Sequence, residues 1–392
     1  MYMTYMLDRR LRGRLASSKK HILLLGPRQV GKSTLVASLK PDRLVNLMNE
    51  DLHLAYAKDP SRFKREAMSL SRPSLIAVDE IQRVPALLNV IQALLDEGSP
   101  HRFVLTGSSA RKLKRGGANL LPGRILLEHL FPLSYWELGS RFDLEKALQR
   151  GTLPGIYLDE KEGPEILASY GQVYLREEIR QEALTQNVGA YARFLDVAAE
   201  ASGEWINYSK ISNDTEIPKE TIRRFFALLE DTLIAIRVPP FRPKRSHRRV
   251  SQRERFVFFD LGVRNALLGI HRGPLTSNEK GKLFEQWVLL QIVYYLHSEK
   301  KPWRLSSYRT DAGAEVDIIL ETPAHLWAIE CKGGKNVAET DTRGLRSFGE
   351  IAHKPVKKYL VYHGTARQRF SQGETALPYQ EFLNETLVRI KD

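Results

Sequence analysis

Gly26-Pro27-Arg28-Gln29-Val30-Gly31-Lys32-Ser33-Thr34 fits the pattern GxxxxGK[ST] and directly follows the apolar run His21–Leu25. A strand that enters a glycine turn and leaves as a helix points backbone N–H groups, and the positive end of the helix, at one anion. This is a phosphate-binding loop. Gly26 and Gly31 shape the cradle, Lys32 reaches the β/γ-phosphates, and Ser33, followed by Thr34, ligands Mg²⁺. The expected ligand is ATP with Mg²⁺.

The 392 residues exceed one ordinary core, so two or three domains are expected. A net charge of +14 and a pI near 9.7 suggest a polyanionic partner. Cys331 is the single cysteine, which excludes an internal disulfide and fits a reducing, cytoplasmic setting. No apolar run approaches the ~20 residues of a membrane span. Residues 1–20 carry Arg9, Arg10, Arg12 and Arg14 with Leu7, Leu11 and Leu15 at helical spacing. They predict a short amphipathic helix beside the nucleotide pocket rather than a transit peptide.

Strand-like runs recur at 44–47, 75–79, 102–106 and 125–130, with helical patterns between them such as Leu87, Val90, Ile91, Leu94 and Leu95. That alternation predicts an α/β domain with a largely parallel sheet. The run 73–80 ends in Asp79 and Glu80, about 45 residues after the loop. In such a protein the first acid holds Mg²⁺ through water and the second polarises the attacking water. The next strand ends in Thr106-Gly107-Ser108-Ser109, which is either a γ-phosphate sensor, Ser108 above all, or a strand-to-helix cap. Arg124, just before the fifth strand, is either a structural ion pair or an arginine finger offered to a neighbouring subunit.

Residues 20–140 resemble the AAA-type domain of the prokaryotic archaeal-ATPase-like family through GPRQVGKST, VDEIQ, LTGSSA and LPGR…LFPLSYWEL. The resemblance implies a sheet of the additional-strand P-loop type and Arg124 as the candidate finger. A trans finger in turn implies a homo-oligomer, a ring such as a hexamer. Residues 174–179 and 258–265 resemble recurring segments of that family's C-terminal domain.

Residues 190–241 have the layout of a winged helix-turn-helix: a short helix from Ile206, a turn at 214–218, and a second helix carrying Lys219, Arg223 and Arg224. Such a unit docks DNA through its second helix or serves as a lid. Residues 242–255 form a basic run of Arg242, Lys244, Arg245, Arg248, Arg249, Arg253 and Arg255, without apolar periodicity. It reads as an exposed loop that contacts phosphate.

Further on, Glu285 lies in an apolar helical stretch, Asp317 in the strand run 315–320, and Glu330 and Lys332 in the strand run 326–332. Alternation along a strand points Glu330 and Lys332 one way and Cys331 the other. If the two strands pair, Asp317 lies near Glu330, and two adjacent carboxylates call for Mg²⁺ or Mn²⁺ between them. Lys332 would then activate water at a scissile phosphate. The order Lys282…Glu285…Glu315-Val316-Asp317…Glu330-Cys331-Lys332 resembles the PD-(D/E)XK nuclease core, and most of all archaeal-type Holliday junction resolvases. It departs from the pattern in having no proline before Asp317.

The expected layout is therefore an AAA-type domain over 1–163, a helical linker and winged helix with its basic loop over 164–255, and a mixed-sheet PD-(D/E)XK-like domain over 256–392. The expected activity is ATP hydrolysis coupled to metal-dependent cleavage of duplex or branched DNA, with Glu80, Arg124, Glu285, Asp317, Glu330 and Lys332 catalytic. The alternative is a nucleotide-gated DNA- or protein-binding regulator whose nuclease-like domain is inactive.

Overall fold

The computed structural model describes residues 7–108, 123–171, 188–243 and 250–390. Ser109, Leu121, Pro122, the segment 174–179, and Lys244, Arg245, His247, Arg248 and Arg249 lie outside the described residues. The chain divides into two compact units. One comprises the residues up to Phe142 with Leu153–Gly155 and Ala227–Ile234; the other comprises Asp143–Thr152, Ile156–Phe226 and the residues from Ala235.

In the first unit the order is α1 (Arg10–Ser17), β1 (His21–Leu25), α2 (Lys32–Ser38), β2 (Arg43–Asn46), α3 (Glu50–Lys58), α4 (Ser61–Met68), β3 (Leu75–Asp79), α5 (Ala86–Asp96), β4 (Arg102–Gly107) and β5 (Ile125–His129). The five strands form one sheet in the order β2-β3-β4-β1-β5. Every ladder in it is parallel. A parallel sheet covered on both faces needs strands that are apolar throughout. Ile22–Leu25 and Ile76–Val78 are accordingly buried to the last residue. Helix α5 buries Leu87, Leu88, Ile91 and Leu94 and has no side-chain cap. Each fully buried Leu or Ile contributes roughly 1.5–3 kcal/mol against about 1 for a cap, so packing holds this helix. Strand β4 separates β1 from β3, which confirms the additional-strand sheet.

Beyond Phe142 the order is α6 (Leu144–Arg150), α7 (Val188–Glu200), α8 (Tyr208–Thr215), α9 (Lys219–Asp231), β6 (Ala235–Val238), β7 (Arg255–Phe258), α10 (Leu261–Leu267), α11 (Ser277–Ser298), β8 (Arg304–Arg309), β9 (Glu315–Glu321), β10 (Leu326–Lys332), α12 (Arg343–Gly349), β11 (Val356–Tyr362), β12 (Gln368–Arg369) and β13 (Thr375–Pro378). Strands β6 and β7 make an antiparallel pair, to which Trp205 adds an antiparallel bridge at Arg255. The other six strands form a mixed sheet, β12-β13-β11-β10-β9-β8. Within it β8, β9 and β10 form an antiparallel meander, and α12 carries the chain across to β11, parallel to β10. Helix α11 opens on a capping box, in which Thr276 and Glu279 exchange bonds with each other's backbone.

The segment 258–265 has a structural use. The Asp260 carboxylate accepts from Val263 N at 3.1 Å, capping α10, and from Thr152 N at 2.7 Å. Asn265 Nδ2 donates to the carbonyls of Leu148 and Gln149, each at 2.9 Å, where α6 ends. Both residues are buried, so these bonds close a helix terminus that water cannot reach. Among the described residues no helix is long and apolar enough to cross a membrane.

Candidate functional site

The loop after β1 depends on its glycines. Gly31 holds φ +93°, which a side chain strains, and a Cβ on Gly26 would lie 2.3 Å from the Leu130 carbonyl. Lys32 is only 5% exposed, and its ammonium is held by the carbonyls of Gly26 at 2.8 Å and Pro27 at 2.9 Å. Ser33 and Thr34 stand exposed in the first turn of α2.

Across β4, Asp79 ends β3 at 3% exposure. Thr106 Oγ1 donates to Asp79 Oδ1 and accepts from Glu80 N at 3.0 Å, so one hydroxyl of β4 organises both acids. Ser108 is buried at the end of the same strand. The structure thus brings the loop lysine, the acid pair and the two hydroxyls to the C-terminal edge of one sheet.

Arg124 is not part of this group. It precedes β5, whose first residue pairs with the first residue of β1, so it stands at the opposite edge of the sheet. There it forms a half-exposed ion pair with Asp96 at the end of α5.

Two contributors carried no signal of their own in the sequence. Arg9, 8% exposed, donates to the carbonyls of Val30 at 2.7 Å and Phe131 at 2.6 Å and pairs with Glu137 at 3.0 Å, bracing the loop from beneath. Its helical spacing predicted α1 but not these bonds. Gln82 donates to the Glu80 carboxylate. It stands in the VDEIQ segment, with nothing in the spacing to mark it.

The second cluster forms where β9 and β10 part. Their ladder ends at Ile329↔Ile318, while β10 stays paired with β11 as far as Lys332↔Tyr362. Cys331 N, freed from β9's backbone, donates instead to Asp317 Oδ2 at 2.8 Å. The β8–β9 register shifts beside Asp317, whose carbonyl accepts from Ser307 Oγ at 2.6 Å and Arg255 Nη1 at 3.1 Å. Lys332 pairs with Glu330 Oε1 at 2.9 Å, and Glu330 Oε2 is buried without a hydrogen-bond partner. Glu285 on α11 pairs with Arg255. Lys282 turns away to Glu204 at 2.8 Å, and Glu315 accepts from Trp205 Nε1 at 2.6 Å.

Electrostatics follow burial. Burial, then Glu285 and Glu330, push the Asp317 carboxyl well above the usual carboxylate range, against Arg255. Burial pushes Glu330 up to about 7 although Lys332 opposes it. Burial works against the charge on Lys332, but Glu330 more than offsets it and the ammonium pKa is raised. Burial likewise works against the charge on Arg255, which Glu285 and then Asp317 hold in place.

Two expectations are corrected here. Arg255 is not part of a solvated basic run, since it is 2% exposed and serves as the cation of the acid cluster. Nor are Asp317 and Glu330 joined by a third side-chain ligand for the Mg²⁺ or Mn²⁺ expected between them. Among the described residues no group of three or more His, Cys, Asp or Glu is placed to hold a metal ion. Arg255 and Lys332 already neutralise Glu285 and Glu330, and Asp317 bonds backbone.

Lys219, Arg223 and Arg224 are all exposed on α9. Arg223 also covers the Tyr208 ring at 5.2 Å and pairs with Glu220 at 3.2 Å. The described residues on either side of the basic run are held to β8, through Phe241 N to Ser307 O at 2.7 Å and Ser251 N to Arg309 O at 2.8 Å.

Residues 18–139 match the family described as "AAA domain". Residues 141–273 and 280–382 each match a "Domain of unknown function", the second being DUF4143. The first unit thus contains an AAA-type P-loop domain. Uncharacterized proteins of Mycobacterium tuberculosis and Mycobacterium bovis are each 26% identical over 371 residues, covering 92% of this chain and 80% of theirs. An uncharacterized protein of Haemophilus influenzae is 24% identical over 277 residues, 63% of this chain and 69% of its own. Among solved structures, a signal transduction ATPase with a tetratricopeptide repeat sensor from Pyrococcus horikoshii is similar at 14% identity and a TM-score of 0.27. It is covered over 46% of its length by 76% of this chain, so this chain spans less than half of that protein. The replication initiator DnaA bound to AMPPCP and single-stranded DNA is similar at 14% identity and a TM-score of 0.29, over 56% of this chain and 84% of that one.

Proposed function

We propose that this chain is a cytoplasmic, ATP-hydrolysing AAA-type switch that binds DNA, and that its C-terminal part, nuclease-like in build, is a binding and regulatory module. The observation that carries the reading is the placement of Lys32 where the loop after β1 enters α2, and of Asp79 and Glu80 at and just past the end of β3, with one strand between β1 and β3. Lys32 would exchange the carbonyls of Gly26 and Pro27 for phosphate oxygens. Thr106 occupies only Oδ1 of Asp79, so Oδ2 and the Ser33 hydroxyl suit the Mg²⁺ that accompanies ATP. That ion neutralises phosphate charge when bound. Glu80 polarises the attacking water and Ser108 senses the γ-phosphate. Because Arg124 stands at the far edge of its own sheet, it serves only the nucleotide of a neighbouring copy, in a homo-oligomeric ring.

The order α8, turn, α9, β6, β7 supports a winged helix-turn-helix within 164–255. Lys219, Arg223 and Arg224, with Arg245, Arg248 and Arg249, are its DNA-binding residues, and the excess of +14 favours a polyanion. The order α11, β8, β9, β10, α12, β11 supports a nuclease-like core in 256–392. With Arg255 as its fixed cation, Glu285, Asp317, Glu330 and Lys332 hold that core together.

The test is duplex and four-way DNA titrated with protein over a salt series in Mg²⁺ or Mn²⁺, with and without ATP. Binding without strand scission is expected. Replacing Lys219, Arg223 and Arg224 by Ala together should lower the log–log salt slope by about one for each phosphate that is no longer neutralised. Absence of binding removes the DNA half of the proposal, and divalent-dependent scission by wild type removes the assignment of the acid cluster.

A further inference from the structure

Arg9 stands just before α1 with its side chain beneath the phosphate loop, where Nη1 would lie 3.5 Å from a Cβ on Gly31. Its guanidinium is held on several sides. Nη1 donates to the Val30 carbonyl at 2.7 Å, Nη2 to the Phe131 carbonyl at 2.6 Å, and Nε to the Glu137 carboxylate at 3.0 Å. Glu137 is itself fixed, since it accepts from the backbone N–H groups of Arg10 and Ser134, each at 2.9 Å. A planar fork of donors cannot turn without breaking more than one of these bonds at once. The Val30 carbonyl is thereby pinned in one direction.

That carbonyl belongs to the same peptide unit as the Gly31 N–H. The unit is trans, and in a planar trans peptide the C=O and the N–H point opposite ways. Arg9 therefore turns the Gly31 N–H away from itself. On that side the N–H meets no hydrogen-bond acceptor among the described residues. A cation on the oxygen also polarises the unit, which makes its N–H a stronger donor. We propose that Arg9 is a positioning residue for nucleotide binding: acting through the Val30–Gly31 peptide, it aims and strengthens the Gly31 N–H toward the α/β-phosphates. This rests on the ATPase reading of the loop. Bonds break at the γ-phosphate, so an amide on the α/β-phosphates holds ground state and transition state alike. Its loss should raise KM and leave kcat in place.

The experiment measures calorimetric binding of MgADP and steady-state hydrolysis of MgATP by wild type, Arg9→Met and Arg9→Lys in the full chain, with melting curves to confirm folding. Met keeps an unbranched stem and removes every donor, while Lys keeps the charge with one nitrogen in place of the fork. For Arg9→Met the ADP Kd and the ATP KM should rise together by about tenfold, the scale of one hydrogen bond to a charged group, with kcat within about twofold of wild type. Arg9→Lys should fall between the two. A folded variant that binds ADP as wild type does, or whose kcat drops as far as its affinity, makes Arg9 a brace of the fold only. That result overturns the proposal and leaves the ATPase reading standing. Wild type that binds ADP without turning over ATP removes that reading and leaves the ADP affinities to decide the proposal. No nucleotide binding by wild type overturns both. If Arg9→Met fails to fold, Arg9→Lys decides; if neither folds, the proposal falls.

Discussion

Glu330 has one carboxylate oxygen against Lys332 and the other buried without a partner, and burial moves its pKa from the ordinary 4.5 to about 7. A carboxyl whose folded pKa is raised stabilises the fold below its unfolded value and loses that contribution as pH climbs through the folded one. Stability should therefore fall between about pH 4.5 and 7, by up to about 1.4 kcal/mol per pH unit from this group. Glu330→Gln removes the proton but keeps the shape. Its stability relative to wild type, measured by denaturant midpoints from pH 5 to pH 8, should rise with pH whatever constant offset the substitution brings. A difference independent of pH would show that Glu330 titrates normally. Arg255 shows why this cluster was only half legible. Asp317, Glu330 and Lys332 could be placed together from strand alternation and pairing, and Glu285 through the resemblance, but Arg255 stands two residues from exposed Arg253 and looked like its neighbour. Its burial is set by a partner thirty positions away, Glu285, which no local pattern carries.

Among the elements, those bounded by continuous apolar runs were legible to within a residue or so. β1, β3, β4 and β5 could be placed from such runs, and β1, β3 and β4, buried on both faces, had to be apolar nearly from end to end. The loop and both acids follow from those strands, because each stands at or just past a strand's C-terminal end. The hydrogen bond from Gln82 to Glu80 was not legible, since Gln82 is an ordinary half-buried polar residue and Glu80, two positions earlier, is left-handed. The segment 258–265 was recognisable by resemblance alone. Its reason is the closure of two helix ends by Asp260 and Asn265, polar side chains whose partners lie more than a hundred residues away. The meander β8–β9–β10 was expected in part, as the β9–β10 hairpin. Its early parting at Ile329 was not, because register is set by packing across the sheet rather than along a strand.

For the whole molecule, the charge and the placement of Arg124 bear on assembly. The exposed Arg124–Asp96 pair contributes little stability, about 1 kcal/mol at most, so Arg124→Ala should leave the fold intact. If Arg124 serves a neighbour's nucleotide, mixing Arg124→Ala with Lys32→Ala subunits should restore part of the hydrolysis that each lacks alone. No restoration at any ratio, with oligomers present by light scattering, would make it a surface ion pair only. The central claim is that the first unit hydrolyses ATP through the acid pair at the end of β3, and paired binding and turnover measurements on Glu80→Gln address it most directly. The account predicts that Glu80→Gln binds a fluorescent ATP analogue as wild type does while turnover falls at least about a hundredfold, as for removal of a general base. Turnover equal to wild type in Glu80→Gln would contradict it.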